Sequence, residues 1–201
     1  MERKHAIWAA TALGVLVLVG GSAIAQAPKP VSSGYLGDTA PDTYKILPIA
    51  PQPGTIRYEA DRKAFLATRS MKDTPRWALA INDVNQFILL KDMSCALGVE
   101  LTPQNAPRLS AIVTKMAADV SRATNRPKDI YQRKRPYLID EGAICVPKDP
   151  ALAASPDYPS GHATWGWSVA LVLAELAPDR ATQILVRGRA YGESRMVCGV
   201  H

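Results

Sequence analysis

Apolar residues recur at intervals of three and four through most of this chain, and that periodicity restricts it to a packed helical fold. Arg57 to Ser70 reads as a first helix. A second starts at Asp73 or Thr74, with Pro75 in its first turn, and puts Trp77, Ala78, Ile81, Val84 and Ile88 on one face. Thr102-Pro103 repeats the start signal, and Leu109, Ile112, Val113, Met116 and Val120 form the stripe of a longer helix. Ser160 opens a fourth through Trp165, Val169, Val172 and Leu176, and Pro178 starts a fifth that Gly192 can end. Alternating apolar and polar runs are scarce, and no hairpin signal or internal repeat occurs. The expectation is an all-α, single-domain helical bundle over residues 57–201. Trp165 and Trp167 read as core or pocket-wall packing rather than cofactor contacts. Residues 26–56, rich in Pro, Gly and Ser, read as an irregular, extended N-terminal arm.

The first 25 residues have the character of an export signal. Arg3 and Lys4 precede the apolar run from Ala6 to Val19, and Ala23-Ile24-Ala25 satisfies the small-residue rule for cleavage. The run is shorter than the ~20 residues that span a bilayer, so no stable anchor is expected after cleavage. The formal charge of +6 falls to +5 once Glu2, Arg3 and Lys4 are removed. That surplus suits an anionic substrate, but no long Lys/Arg tract points to nucleic acid. An oxidising compartment permits disulfides. With Cys95, Cys145 and Cys198 the expectation is one disulfide of undetermined pairing and one cysteine without an internal partner. No Cys-x-x-Cys pair is present, and these spacings do not assemble a zinc site.

The chemistry concentrates in three segments. Lys128 is followed by six residues and Arg135-Pro136; next comes Pro159-Ser160-Gly161-His162; last is Ser194-Arg195, five residues, then His201. Singly these are surface or structural residues; jointly they match the needs of phosphoryl transfer. Its transition state spreads negative charge over three equatorial oxygens, with nucleophile and leaving group roughly in line. Two guanidinium forks and a lysine can grip those oxygens. Ser160 supplies a hydroxyl, and the backbone at Gly161, at a helix start and without a Cβ, can approach an anion closely. One neutral imidazole can attack phosphorus while a protonated one serves the departing alkoxide. An ordinary imidazole titrates near ~6.5, so the two states coexist in mild acid. Apart from His5 in the signal segment, His162 and His201 are the only histidines of the chain. Motifs for a metalloprotease helix, an Asp-rich metal loop or a Gly-rich phosphate loop are absent, which leaves no metal or cofactor expected.

These residues resemble the bacterial class A non-specific acid phosphatases, of the type 2 phosphatidic acid phosphatase and vanadium haloperoxidase superfamily. The signature there is Lys-x6-Arg-Pro, Pro-Ser-Gly-His and Ser-Arg-x5-His-x3-Asp, and the likeness extends to Tyr158 through Glu175 and Tyr191 through His201. The resemblance implies an all-α periplasmic enzyme that hydrolyses diverse phosphomonoesters through a phosphohistidine, with vanadate as a transition-state mimic and, in some members, transfer to alcohols. It implies His201 as nucleophile and His162 as general acid, with Lys128, Arg135, Ser160, Gly161 and Arg195 holding the phosphoryl oxygens. Other readings are a vanadium-dependent haloperoxidase, a lipid phosphatase, which usually carries several membrane spans, and a non-catalytic phosphate-binding protein. Packing of the arm against a second subunit of a homo-oligomer is left open.

One departure stands out. The chain stops at His201, before the Asp that orients the nucleophile in that signature. The expectation is a chain truncated from a longer one, with a complete phosphate grip and a mobile, poorly supported terminal histidine. The absent tail could also hold the partner of the odd cysteine.

Overall fold

The computed structural model describes residues 33–201; the expected signal segment and the start of the arm lie outside the described residues. Eight α-helices make up these residues: α1 (Thr43–Ile46), α2 (Ile56–Thr68), α3 (Pro75–Asn82), α4 (Leu89–Leu97), α5 (Pro107–Tyr131), α6 (Pro150–Ala154), α7 (Gly161–Leu176) and α8 (Ala181–Cys198). Among the described residues there is no strand, and the fold is all-α.

Helix starts follow local chemistry. Thr55, Thr74, Asp149 and Ser160 each accept a backbone N–H of the first turn behind them. The expected start at Thr102-Pro103 is displaced to Pro107 because Thr102 and Asn105 bond each other reciprocally, main chain to side chain, and close a turn instead. The expected second helix stops at Asn82, so Val84 and Ile88 lie outside it, and a separate helix, α4, follows. The break puts the Asp83 side chain and the Val84 carbonyl to other uses, described below. Pro178 begins a short 3-10 turn, after which α8 runs on past Gly192 and ends at Gly199, whose φ of 81° suits a residue without a Cβ. Gly192 instead lets α8 approach α7: a Cβ there would sit 3.2 Å from that of Ala163.

Two buried clusters flank this helix pair. Leu89, Met93, Leu101, Val113, Val169, Ala170, Leu173, Ile184 and Tyr191 join α4, α5, α7 and α8. Phe65, Trp77, Ala80, Tyr137, Val197, Cys198 and Val200 join α2, α3 and the end of α8. Trp165 borders the first cluster, and Trp167, 42% exposed and in neither core, lines a surface recess, so both are wall residues as expected.

The described part of the arm follows α5. Tyr35 and Leu36 donate backbone N–H groups to Asp119, and Arg126 pairs with Asp42 at 3.2 Å. Pro127 lies inside α5 and cannot donate to the carbonyl of Ala123, which accepts the hydroxyl of Thr43 at 2.7 Å instead. The arm therefore includes a short helix, α1, rather than being extended throughout, and α5 continues one turn beyond Pro127 to present Lys128. Cys145 and Cys198 form a disulfide, and Cys95 is free and exposed. Among the described residues no helix is long and apolar enough to cross a membrane.

Candidate active site

The ends of α5 and α8, the start of α7 and the loops after Tyr131 and Ala154 meet around one cavity of about 630 Å³. Lys128, Arg135, Gly161, His162, Arg195 and His201 line it, and Ser160 borders a neighbouring recess shared with Arg195 and His201. The lining also includes the apolar side chains of Leu89, Leu90, Val113, Val120 and Trp165.

Three cations converge with little exposed surface. Lys128 is 9% exposed and its Nζ donates to the Pro156 carbonyl at 2.6 Å. Burial, reinforced by Arg135 and Arg195, pulls its ammonium down to about 8. Arg135, 4% exposed, spends most of its fork on the protein. Its Nε donates to the carbonyls of Leu152 and Ser155, its Nη1 to Val200, and its Nη2 to the Ser155 hydroxyl. Arg195 differs: it is 6% exposed, and among the described residues its Nε and Nη1 have no hydrogen-bond partner. A buried guanidinium without an acceptor is costly, and its pKa is lowered to about 10 by burial and by Arg135. The natural complement of such a group is an anion with several acceptor oxygens.

At the start of α7, Ser160 caps the helix: its oxygen accepts from the Ala163 N–H, which leaves its own proton to donate. A Cβ on Gly161 would meet only the Thr124 hydroxyl, at 3.8 Å, so the glycine is not demanded by protein packing. It keeps space beside the helix N-terminus, where backbone N–H groups favour anions.

The Nε2 of His162 lies 2.9 Å from the carbonyl of Val84 and donates to it in the neutral ring. That carbonyl is presented by the break between α3 and α4. Asp83, fully buried there, is gripped by Arg187 (2.5 and 3.2 Å) and by the Ser194 hydroxyl (2.5 Å), to which Arg76 also donates. Ser194 thus serves the scaffold rather than the cavity.

His201 is held by several contacts, where a poorly supported end was expected. Val200 is fully buried, the backbone N–H of His201 returns to the Arg195 carbonyl, and the disulfide ties the end of α8 to Cys145. Its Nδ1 lies 2.6 Å from Oδ1 of Asp157, and its Nε2 lies 3.2 Å from Nη1 of Arg135. Since Arg135 can only donate, the neutral ring carries its proton on Nδ1 and a lone pair on Nε2.

Burial changes the protonation expected from sequence. His162 is lowered to about 4 by burial and then by Arg195, and His201 to about 4 by burial, against the opposing pull of Asp157. Both rings are neutral in mild acid, instead of holding opposite states. The unfolded rings, near 6.5, bind protons that the folded ones refuse, so stability is complete above that pH and is lost as pH falls toward 4. Thermal unfolding should therefore show Tm declining through this window, less steeply for His162→Gln. A variant with the same slope would mean that the ring is not held neutral.

Three participants escaped sequence reasoning: Asp157, the Val84 carbonyl and Asp83. Asp157 stands next to the Tyr158 to His162 motif, and that adjacency was the available signal; the other two carried none.

An all-α frame thus gathers two buried arginines, a buried lysine and two histidines around one cavity at the ends of α5 and α8. Residues 108–201 match the model of the PAP2 superfamily. The chain is similar to a Zymomonas mobilis subsp. mobilis protein named acid phosphatase, with 41% identity over 161 residues, 78% of this chain and 61% of that protein. It is also similar to proteins named non-specific acid phosphatase. One is from Providencia stuartii, with 34% identity over 80% of this chain and 66% of that protein. Another is from Salmonella typhimurium, with 31% identity over 76% and 64%. The chain spans less than two thirds of the length of these relatives.

Proposed function

We propose that this chain carries the site of a metal-independent acid phosphatase that hydrolyses phosphomonoesters through a phosphohistidine on His201. The observation that carries this reading is the buried Arg195 guanidinium, whose Nε and Nη1 lack partners among the described residues, beside Lys128, Arg135 and two neutral imidazoles. The names of the relatives support it.

In this reading the phosphoryl oxygens lie between Arg195, Lys128, Arg135, the Ser160 hydroxyl and the backbone at Gly161. Nε2 of His201 gives its lone pair to phosphorus as the phosphorus–oxygen bond to the leaving group breaks. His162 hands its proton to the departing alkoxide and takes one back from the water that hydrolyses the phosphohistidine. The free site holds His162 neutral. A bound phosphate dianion adds the negative charge that restores its proton affinity, so substrate and proton enter together. An alcohol in place of that water would give phosphotransfer. Export to the periplasm after removal of residues 1–25 belongs to the same proposal, and a disulfide suits that compartment.

The test is phosphate release from a chromogenic aryl phosphate in the presence of a chelator, with acid-quench trapping of labelled enzyme. Turnover that survives the chelator, and label and turnover both absent in His201→Ala, are expected. Phosphate binding without turnover or label would favour a binding protein, and chelator-sensitive turnover would overturn the mechanism.

A further inference from the structure

The Ser-Arg pair of α8 divides between two tasks. Arg195 lines the cavity, whereas the Ser194 hydroxyl, fully buried, donates to Oδ2 of Asp83 at 2.5 Å. Arg187, Tyr191 and Ser194 recur at intervals of four and three, which puts them on one face of α8. Arg187 gives Nη1 and Nη2 to the two oxygens of Asp83, and its guanidinium lies 5.7 Å from the Tyr191 ring centre. Tyr191 in turn stacks against His162, with ring centres 6.2 Å apart and planes 15° from parallel. Arg76 of α3 donates to both the Ser194 hydroxyl and the Ala190 carbonyl. A buried carboxylate is costly unless it is paired, and every oxygen of Asp83 has a donor. Asp83 also ends α3: its N–H and that of Val84 return to the carbonyls of Leu79 and Ile81, at 3.0 and 3.2 Å. The chain is thereby fixed where the Val84 carbonyl, left over at a helix end, meets Nε2 of His162 at 2.9 Å. A carbonyl only accepts, so the ring keeps a proton on Nε2. Among the described residues Nδ1 has no partner, and His162 lines the cavity.

We propose that Asp83, anchored by Ser194 and Arg187, is the positioning residue of His162: it holds the Val84 carbonyl on Nε2–H and so makes Nδ1 the atom that exchanges a proton with the leaving group. The inference rests on the reading of His162 as general acid. Asp83 acts through the Val84 carbonyl on one edge of the ring and, by way of Arg187, through Tyr191 on its face. The cationic ring carries two protons, and the one on Nε2 is committed to the protein. As the phosphorus–oxygen bond to the leaving group breaks, the proton on Nδ1 passes to the departing oxygen and the ring becomes neutral. The water that hydrolyses the phosphohistidine returns a proton to Nδ1, and the Nε2–H stays on Val84 throughout. Released from the carbonyl, the imidazole can turn about its side-chain torsions, and the proton then stands in reach of the leaving oxygen only part of the time. Ser194 therefore serves the acid from behind while its neighbour Arg195 serves the phosphoryl group.

The experiment compares the chain with Asp83→Asn and Ser194→Ala on two esters. Glycerol phosphate has an alkoxide that needs a proton to leave, and p-nitrophenyl phosphate has a phenolate that leaves without one. Tm and the His162 ring, by nitrogen-15 NMR, are measured on the same preparations. On glycerol phosphate kcat should fall about 10²-fold in Asp83→Asn and about 10-fold in Ser194→Ala, against only a few-fold on the nitrophenyl ester. The native ring should show an Nε2–H protected from exchange, and both variants should lose that protection. A network that merely supports the helices would lower Tm without telling the two leaving groups apart. Equal losses on the two esters, or an Nε2–H that stays protected, would overturn the proposal. If Asp83→Asn does not fold, Ser194→Ala, which keeps the pair with Arg187, decides by the same readouts. His162→Ala should separate the esters more strongly than either variant. Equal losses there would mean that His162 is not the acid, and the NMR comparison then still decides whether Asp83 sets the ring.

Discussion

Arg195→Met should abolish most turnover while making the protein more stable, two effects of opposite sign from one side chain. Arg195 sits in the last turn of α8, 6% exposed, with Nε and Nη1 lacking acceptors and Arg135 nearby. Among the described residues this desolvated positive charge therefore has no compensating anion. Methionine keeps the length of the side chain and removes that charge. Replacing buried ionic groups by apolar ones of similar volume can stabilise by about 1–4 kcal/mol. The Arg195 carbonyl, which accepts from Val200 and His201, belongs to the backbone and survives the change. Turnover depends on what the guanidinium would grip. Loss of one preorganised donor costs about 10²–10³ in kcat, and a charged fork offers two. Chemical denaturation and aryl phosphate turnover on the same preparation check both halves. Lower stability in Arg195→Met would mean that the guanidinium has a structural partner, and unchanged turnover would remove it from the phosphate grip.

Cys145→Ser should cost stability and loosen His201 together. The disulfide closes a loop of 53 residues in sequence separation, and in the chain-entropy account such a loop is worth about 4 kcal/mol. For a domain of this size that corresponds to a fall in Tm on the order of 10 °C. The bridge ends on Cys198, three residues before His201, and the Cys145 N–H also donates to the Cys198 carbonyl at 3.0 Å. Arg69 donates to the carbonyls of Met196 and Val197, and Arg135 to that of Val200, so the segment should stay docked but less tightly held. Small displacements of a reacting group are costly, and turnover should drop about 10-fold or more at temperatures well below Tm. Reductant acting on the native chain should reproduce both effects and leave Cys145→Ser unchanged. A native Tm insensitive to reductant would show that the bridge contributes nothing to the fold.

The helical class, most helix starts and the chemistry-bearing residues were legible because each depends on near neighbours in sequence. A stripe recurs every three or four residues, Thr74 or Ser160 caps the turn just behind it, and the three basic and histidine segments keep their own spacing. The errors came where a distant residue overrode local preference. The stripe through Val84 and Ile88 predicted one helix, but Asp83 is drawn into a buried bond with Arg187 and Ser194, over a hundred positions away, and the helix breaks there. Gly192 looked like a helix end, yet it lies where α8 crosses Ala163 of α7.

By itself, then, the sequence determined that this chain would be helical and singled out Lys128, Arg135, Ser160, Gly161, His162, Arg195 and His201, six of which line one cavity with Ser160 at its edge. The tertiary structure alone decided the pairing of Cys145 with Cys198, the neutral state of both histidines, the carbonyl that holds His162 and the carboxylate behind His201. The reason is that periodicity and caps are short-range, whereas desolvation and hydrogen bonds act through space. His201 and Asp157 are 2.6 Å apart in the fold but far apart along the chain.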